Sequence, residues 1–398
     1  MPPSDPESPS SSGHDAAPGV VARATAKAVG VATAGGRLLS IDAMRGLVIA
    51  AMIFMDHPAS RTSVPQFLID SPWSGLTFAD LVFPSFLFIV GVSMAISFTR
   101  KAEAPSREVV LKFLWRILAL VLIGLAANWY RYGLPLRYTG VLQRIALASL
   151  IAFPLIRRPW KERLLWAAGL IALHSVVVLF LPGPTGVAGI AGGVTPAQTV
   201  VGVIDKFLVG ASHIYRSGFD PEGPFGLLTA GAQVLLGSIV GEQLVKRREE
   251  ASMPLQLAAA GAVALLAGML LSPLLPVNKH LWTGSFVLVT TGLDTMLLAG
   301  LFQVADRMGW RRGFEPLVPL GMNALAVYIG SILLAAWLAK YLVTLPGGTV
   351  QSAYTLIASG FQASFGIRRG SYAFSALGLT LWYAVAAALY QARIFIKL

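Results

Sequence analysis

The chain has 398 residues, 55% of them hydrophobic and only 13% charged, about half the charged share of an ordinary soluble domain. That composition excludes a conventional water-soluble fold, and the absence of cysteine excludes disulfides, thiolate catalysis and thiolate-held metal. The formal net charge of +12 is scattered in small Lys and Arg clusters between apolar runs, which argues for membrane topology and against a nucleic-acid partner.

Residues 1-36 are rich in Ser, Pro, Ala and Gly and hold too few large apolar side chains to offset the entropy of ordering, so they are read as a disordered cytoplasmic tail. No short apolar core with a small-residue cleavage site precedes the first hydrophobic run, so that run is read as a retained helix. From 37 to 398 the apolar runs recur as a single membrane domain. A bilayer core of about 30 Å needs roughly 20 apolar residues in helical form. Ten segments qualify: 38-57, 76-98, 109-129, 138-156, 163-182, 224-245, 253-275, 281-305, 316-342 and 373-395. The expected architecture is an all-α, polytopic helical bundle of about ten spans.

Orientation follows from the positive charges, which accumulate in cytoplasmic loops. Placing both termini in the cytoplasm puts Arg37, Arg100, Lys101, Arg157, Arg158, Lys246, Arg247, Arg311, Arg312 and Lys397 inside, and leaves the outer loops sparse although they include the longest ones. The predicted location is the plasma (inner) membrane, multi-pass. The stretch 350-365 within the loop 343-372 reads as an interfacial or re-entrant helix.

Ionisable side chains inside apolar runs are costly, so each is a functional candidate. The first segment carries Asp42, Arg45, Asp56 and His57, and at 3.6 residues per turn the first three lie within about 60° of one another. Asp42 and Arg45 sit at its inner end, and Asp56 and His57 about 20 Å away at the outer end. The second segment opens outside with Asp80 and then Pro84. The fourth carries Gln143 and Arg144, and the guanidinium needs a carboxylate, carbonyl or anionic ligand, with Asp80 one expected partner. Outer loops add Asp220 and Glu222 in FDPEG, and Asn278, Lys279, His280, Trp282 and Thr283 in PVNKHLWTG. A turn, a helix cap or an interfacial aromatic is the plain alternative for these loops. Asn323 lies toward the inner end with Asp42 and Arg45. Metal is not expected, since His57, His174, His213 and His280 show no i, i+4 spacing, and there is no GxSxG elbow, P-loop or dinucleotide fingerprint.

The strings RLLSIDAMRG, WSGLTFADLVFPSFLFIVGVSMAIS, GVLQRIAL, FDPEGPFGLL, PVNKHLWTGSFVL and PLGMNALAVYIGS, taken in order, resemble the transmembrane acetyltransferases related to heparan-α-glucosaminide N-acetyltransferase and their bacterial homologues. The resemblance covers nearly all of 37-398. It implies a bundle that uses acetyl-CoA, or another acyl-CoA, from the cytoplasm and acylates an amino sugar or other polar acceptor on the far side, with no metal. In the family a catalytic histidine stands three residues before the Trp of the second string. Here Asp70 occupies that place, ahead of Trp73. Three readings stay open: His57 supplies the imidazole, oriented by Asp56 or Asp70; Asp70 is itself the base; or transfer is lost and the chain binds or moves a ligand. An imidazole with an ordinary pKa of about 6.5 suits the task better than a carboxylate near 4, which favours His57.

Asp42, Arg45 and Asn323 are then expected near the donor's entrance, with Gln143 and Arg144 also binding the donor. Asp80, Asp220, Glu222, Asn278, Lys279 and Trp282 are expected to shape the acceptor region. The competing class is a non-enzymatic transporter or permease of a small polar solute, which also needs ionisable residues along a helical bundle. Partners are the acyl donor, a polar acceptor such as a sugar, and the lipid bilayer, with pairing into a homodimer left open.

Overall fold

The computed structural model describes residues 38–56, 58–60, 64–99, 106–186, 196–215, 219–345 and 347–396. The predicted tail over 1-36 and His57 lie outside the described residues. All ten predicted segments are helical. They are α1 (Leu39–Asp56), α2 (Phe78–Thr99), α3 (Arg107–Tyr132), α4 (Val141–Ala152), α5 (Trp160–Phe180), α7 (Leu227–Lys246), α8 (Met253–Leu271), α9 (Gly284–Leu301), the pair α10 (Val318–Met322) and α11 (Ala324–Lys340), and α13 (Ile367–Gln391). Between them lie α6 (Val200–Val209), the hairpin β1 (Leu342–Thr344) and β2 (Val350–Ser352), and α12 (Ala353–Phe365).

Among the described residues seven helices are long and apolar enough to cross a membrane, or eight if the bent pair α10 and α11 forms one span. The protein is an all-α polytopic membrane bundle. α1 is set apart by Asp42, Arg45 and Asp56, and α4 by its length of only 12 residues.

The inner helices are α2, α7 and α9, while α3, α5, α8 and α13 are peripheral. Peripheral helices turn Trp115, Leu122, Leu165 and Leu270 outward. In water such a surface would be unfavourable, and in lipid it is solvated by acyl chains. The core runs through Leu87, Ala148, Leu235, Trp282 and Phe286 on one side and Met44, Phe88, Leu244 and Phe302 on the other. Close contact between α2 and α7 depends on glycine: a Cβ on Gly91 would meet the Val234 carbonyl, and one on Gly237 the Phe88 carbonyl. With Gly241 four residues beyond Gly237, this is the small-residue packing expected where no hydrophobic effect drives helices together.

Two expectations are corrected. The ninth segment is not one continuous span: the chain bends by 71° between the pair of helices, at Asn323. The last helix starts at Ile367 rather than 373, directly after α12 and Gly366, whose φ of 80° suits a residue without Cβ. α12 itself has 13 residues, too few to span a bilayer, and it packs on α13.

Candidate functional site

Two loops build the core of one end of the bundle. The first, before α2, carries Asp70, Ser71, Trp73, Ser74 and Thr77. The second, before α9, carries Asn278, Lys279, His280 and Trp282. Asp80, in the first turn of α2, is fully buried. Its Oδ2 accepts from the Thr77 amide at 2.9 Å and hydroxyl at 3.0 Å and from the Ser71 amide at 3.1 Å, while its own amide donates to Thr77 Oγ1. This reciprocal cap fixes the turn that presents Asp70.

The second loop is tied to that turn by several bonds. The Gly75 amide donates to Val277 O at 2.8 Å, Asn278 Nδ2 reaches Ser74 Oγ at 3.4 Å, and His280 Nε2 lies 3.0 Å from Ser71 O. The His280 ring stacks on Trp73 with centroids 5.7 Å apart. Lys279 Nζ stands between two carboxylates, 2.5 Å from Asp70 Oδ1 and 3.5 Å from Asp80 Oδ1. Burial alone would lower the lysine pKa, but the carboxylates of Asp70, Asp80 and Asp56 outweigh it and hold the value above the usual one, so the ammonium stays charged. Asp70 is the open member, its side chain 46% exposed.

Trp282 is fully buried, and its φ of 53° puts a bulky residue in the left-handed region. Its indole N–H donates to Gln233 at 3.1 Å, and the Arg144 guanidinium lies 4.8 Å from its ring centroid. Such strain persists only where surroundings over-determine it, and clusters at functional sites.

The expected pairing of Arg144 with Asp80 does not occur. Arg144 donates to the Gly223 carbonyl at 3.0 Å, and its Nε and Nη1 have no partner among the described residues, although the side chain is buried. The carboxylate of Asp80 is instead taken up by its own turn and by Lys279. Gln143 is buried beside Arg144, also with its Nε2 unpartnered. Asp220 and Glu222 form a separate cluster around Arg137. The guanidinium grips Asp220 at both oxygens, 2.6 and 2.9 Å, and also binds Glu222, while Thr139 Oγ1 and the Tyr215 amide complete the Asp220 shell. Burial opposes the Asp220 charge, but the Arg137 hydrogen bonds and charge outweigh it and lower the pKa. Asp220 therefore anchors the segment leading to α7.

At the opposite end Arg45 contacts Asp42 at 3.3 Å, donates to Ser93 Oγ at 2.8 Å and approaches Gly321 O at 3.4 Å. Asn323 is buried at the bend, its Oδ1 3.4 Å from the Ile396 amide. The Asp306 carboxylate accepts from the Leu39 and Ser40 amides at 2.8 and 2.9 Å and so caps α1. Asp42, Arg45 and Asn323 thus share one end, while Gln143 and Arg144, expected to bind the same donor, adjoin the other. Among the described residues no group of three or more His, Cys, Asp or Glu side chains is placed to hold a metal.

Sequence reasoning passed over four residues. Arg137, just before the fourth predicted segment, holds Asp220 and Glu222. Asp205 on α6 is buried, its Oδ1 accepting from the Phe225 amide at 2.8 Å. Gln233 joins Trp282 to Thr290. Asp294 on α9 is buried, with Oδ1 2.5 Å from Ser85 Oγ. Asp205 and Asp294 are lone acids within apolar runs, the same signal that singled out Asp80.

Residues 37–198 match the family described as heparan-alpha-glucosaminide N-acetyltransferase, catalytic. The chain is 29% identical over 355 residues to the heparan-alpha-glucosaminide N-acetyltransferase of Mus musculus, an alignment covering 75% of this chain and 54% of that protein. To the protein of the same name from Homo sapiens it is 28% identical over 351 residues, covering 74% and 52%. The chain spans about half the length of the curated relatives it matches. The matched segment holds α1, the Asp70 turn with Asp80, and Arg144 on α4, and this chain is a multi-pass membrane protein related to the heparan-alpha-glucosaminide N-acetyltransferase family.

Proposed function

We propose that this chain is an acyl-CoA-dependent transmembrane acyltransferase of the inner membrane, taking acetyl-CoA or another acyl-CoA from the cytoplasm and acylating a sugar or other polar acceptor at the outer face. The observation that carries the reading is the junction of Asp70, Lys279 and Asp80, closed beneath by buried Asp80 and open at Asp70. It is supported by the relation to N-acetyltransferases and by a second polar end at Arg45. The charge asymmetry of the loops puts the Arg45 end inside and the Asp70 end outside.

In this scheme Arg45, with Asp42 and Asn323 beside it, meets the phosphates of the donor, for which a planar guanidinium is well suited. Asp70, Lys279, Asp56 and Glu222 orient the polar acceptor, and Asn278 and Trp282 hold the loop that carries Lys279. Positioning of acceptor against thioester supplies much of the rate, and a base removes the acceptor's proton. Among the imidazoles the sequence favours His57, which lies outside the described residues. Arg144 and Gln143, buried with unpartnered donors, are the groups that would meet the acyl end of the donor.

Purified protein with labelled acetyl-CoA tests this. Saturable binding that is weakened at least tenfold by Arg45→Ala is expected; solute flux through the protein with no CoA affinity would sink the proposal in favour of a permease.

A further inference from the structure

Any transfer to a polar acceptor needs a group that takes a proton and gives it back, and a charged carboxylate held by an ammonium is poorly suited to it. Asp70 is 2.5 Å from Lys279, and Asp80 spends one oxygen on three donors. Asp220 is saturated by Arg137, Thr139 and two backbone amides. Among the described residues three imidazoles remain. His174 is fully buried, with its ring packed on Phe225 and no side-chain partner for either nitrogen. His213 binds Leu136 O through Nδ1 and stacks face to face on Tyr138, beside the Arg137 cluster.

His280 has the same kind of bonding as His213 but lies in the loops of the Asp70–Lys279–Asp80 junction rather than beside the Arg137 cluster. Its Nε2 lies 3.0 Å from the Ser71 carbonyl, an acceptor only, so Nε2 carries a hydrogen and, in the neutral ring, Nδ1 is the nitrogen with the lone pair. Nδ1 makes no hydrogen bond among the described residues. The ring is half-buried and stacked on Trp73, and Phe219 packs against both rings, 6.4 Å from His280 and 6.0 Å from Trp73 between centroids. His280 belongs to the same two loops as the Asp70–Lys279–Asp80 junction, so the ring is held in a fixed orientation within the structure that would receive a polar acceptor. A carbonyl fixing one nitrogen while the other stays free is the arrangement a general base requires.

We infer that His280 is the catalytic base of this site, an inference that rests on the proposed acyl transfer. The acceptor, as a neutral amine, attacks the thioester carbonyl carbon through nitrogen. The C–N bond forms, the nitrogen's proton moves to His280 Nδ1, the C–S bond breaks, and the departing sulfur takes that proton from the imidazolium. Amide and free thiol are the products, and His280 returns to its starting form. A hydroxyl acceptor follows the same course to give an ester.

The test uses the full-length protein in detergent, with acetyl-CoA and an amino sugar. Gln in place of His280 keeps an amide N–H for Ser71 O and removes the base. His280→Gln is expected to lower kcat roughly 10²- to 10⁴-fold, to abolish the acid limb of the pH profile and to leave acetyl-CoA affinity unchanged. His280→Ala, equally slow, is expected to regain transfer when free imidazole is added. An unchanged kcat and acid limb in His280→Gln would overturn the inference. So would loss of acetyl-CoA binding or of thermal stability in both variants, since that is a structural role. Wild-type protein that binds no acetyl-CoA and transfers no acyl group sinks the proposed function itself, an outcome distinct from a wild type that is active without need of His280.

Discussion

Lys279 reaches across from the loop before α9 to within 3.5 Å of Asp80, whose other oxygen is already occupied by Ser71 and Thr77, so this one ammonium is the counter-charge for a carboxylate sealed inside the bundle. Breaking a buried pair from one side leaves a naked charge and costs about 3 kcal/mol or more, whereas an exposed pair contributes about 1 kcal/mol or less. Lys279→Met is therefore expected to lower thermal stability in detergent far more than Asp70→Asn, although each removes the Asp70–Lys279 contact. Equal losses would contradict the pairing. Because the lysine pKa is raised, this stabilisation is fully present below the unfolded value of about 10.4 and disappears only as pH rises through the folded one.

Asp205 shows the same sign in a lower pH window. Burial pushes its carboxyl up to about 7, with the Phe225 amide and Arg144 resisting and Asp220 reinforcing the shift. The folded chain then holds a proton that the unfolded chain releases near pH 4, so stability falls as pH rises from about 4 to 7 and is level above that. Asp205→Asn retains an acceptor for Phe225 and removes the titration. Unfolding temperature measured from pH 5 to 8 should decline for the wild type and stay flatter for the variant, which becomes the more stable of the two at pH 8.

The packing of α2 on α7 depends on the absence of a side chain at Gly91 and Gly237, where a Cβ would strike the partner's backbone carbonyl. Gly91→Leu and Gly237→Leu should each cost at least about 1–3 kcal/mol, the range for overpacked interiors, and lower the yield of folded protein. Gly169→Leu on α5, which faces open space, is the control and should behave like the wild type. Fluorescence-detected size exclusion after heating would separate them.

Much of the helical fold was legible because a hydrocarbon solvent demands long apolar runs, and every such run is a helix. What sequence could not show is which polar residues meet. Asp70 and Lys279 are 209 positions apart, and Arg137 and Asp220 are 83 apart; nothing in their local spacing reveals either pair. The supposed partnership of Arg144 with Asp80 failed for the same reason. The bend at Asn323 was hidden too, since an Asn in an apolar run reads as a tolerated polar residue rather than a break, and the β1–β2 hairpin is too short to leave a period.

Asp294 carries a prediction about charge in the bundle. Ser85 Oγ lies 2.7 Å from Leu81 O and 2.5 Å from Asp294 Oδ1, and a hydroxyl has one hydrogen to give. With that hydrogen on the Leu81 carbonyl, the second contact is a hydrogen bond only when Asp294 is the neutral acid and donates. Asp294→Asn, which offers an N–H donor of similar shape, should be stable and active within about twofold. A loss near that of deleting a charged partner, as in Lys279→Met, would show that Asp294 is ionised. Unfolding temperatures of the two variants decide.

The claim that the bundle carries an acyl group from one face to the other is tested most directly in sealed proteoliposomes of known protein orientation, with labelled acetyl-CoA confined to the Arg45 side and an amino sugar confined to the Asp70 side. The account predicts acetylated sugar only on the Asp70 side, and none when the two compartments are exchanged. Product formed with both reactants on the same side alone, or sugar crossing the bilayer unmodified, would contradict it.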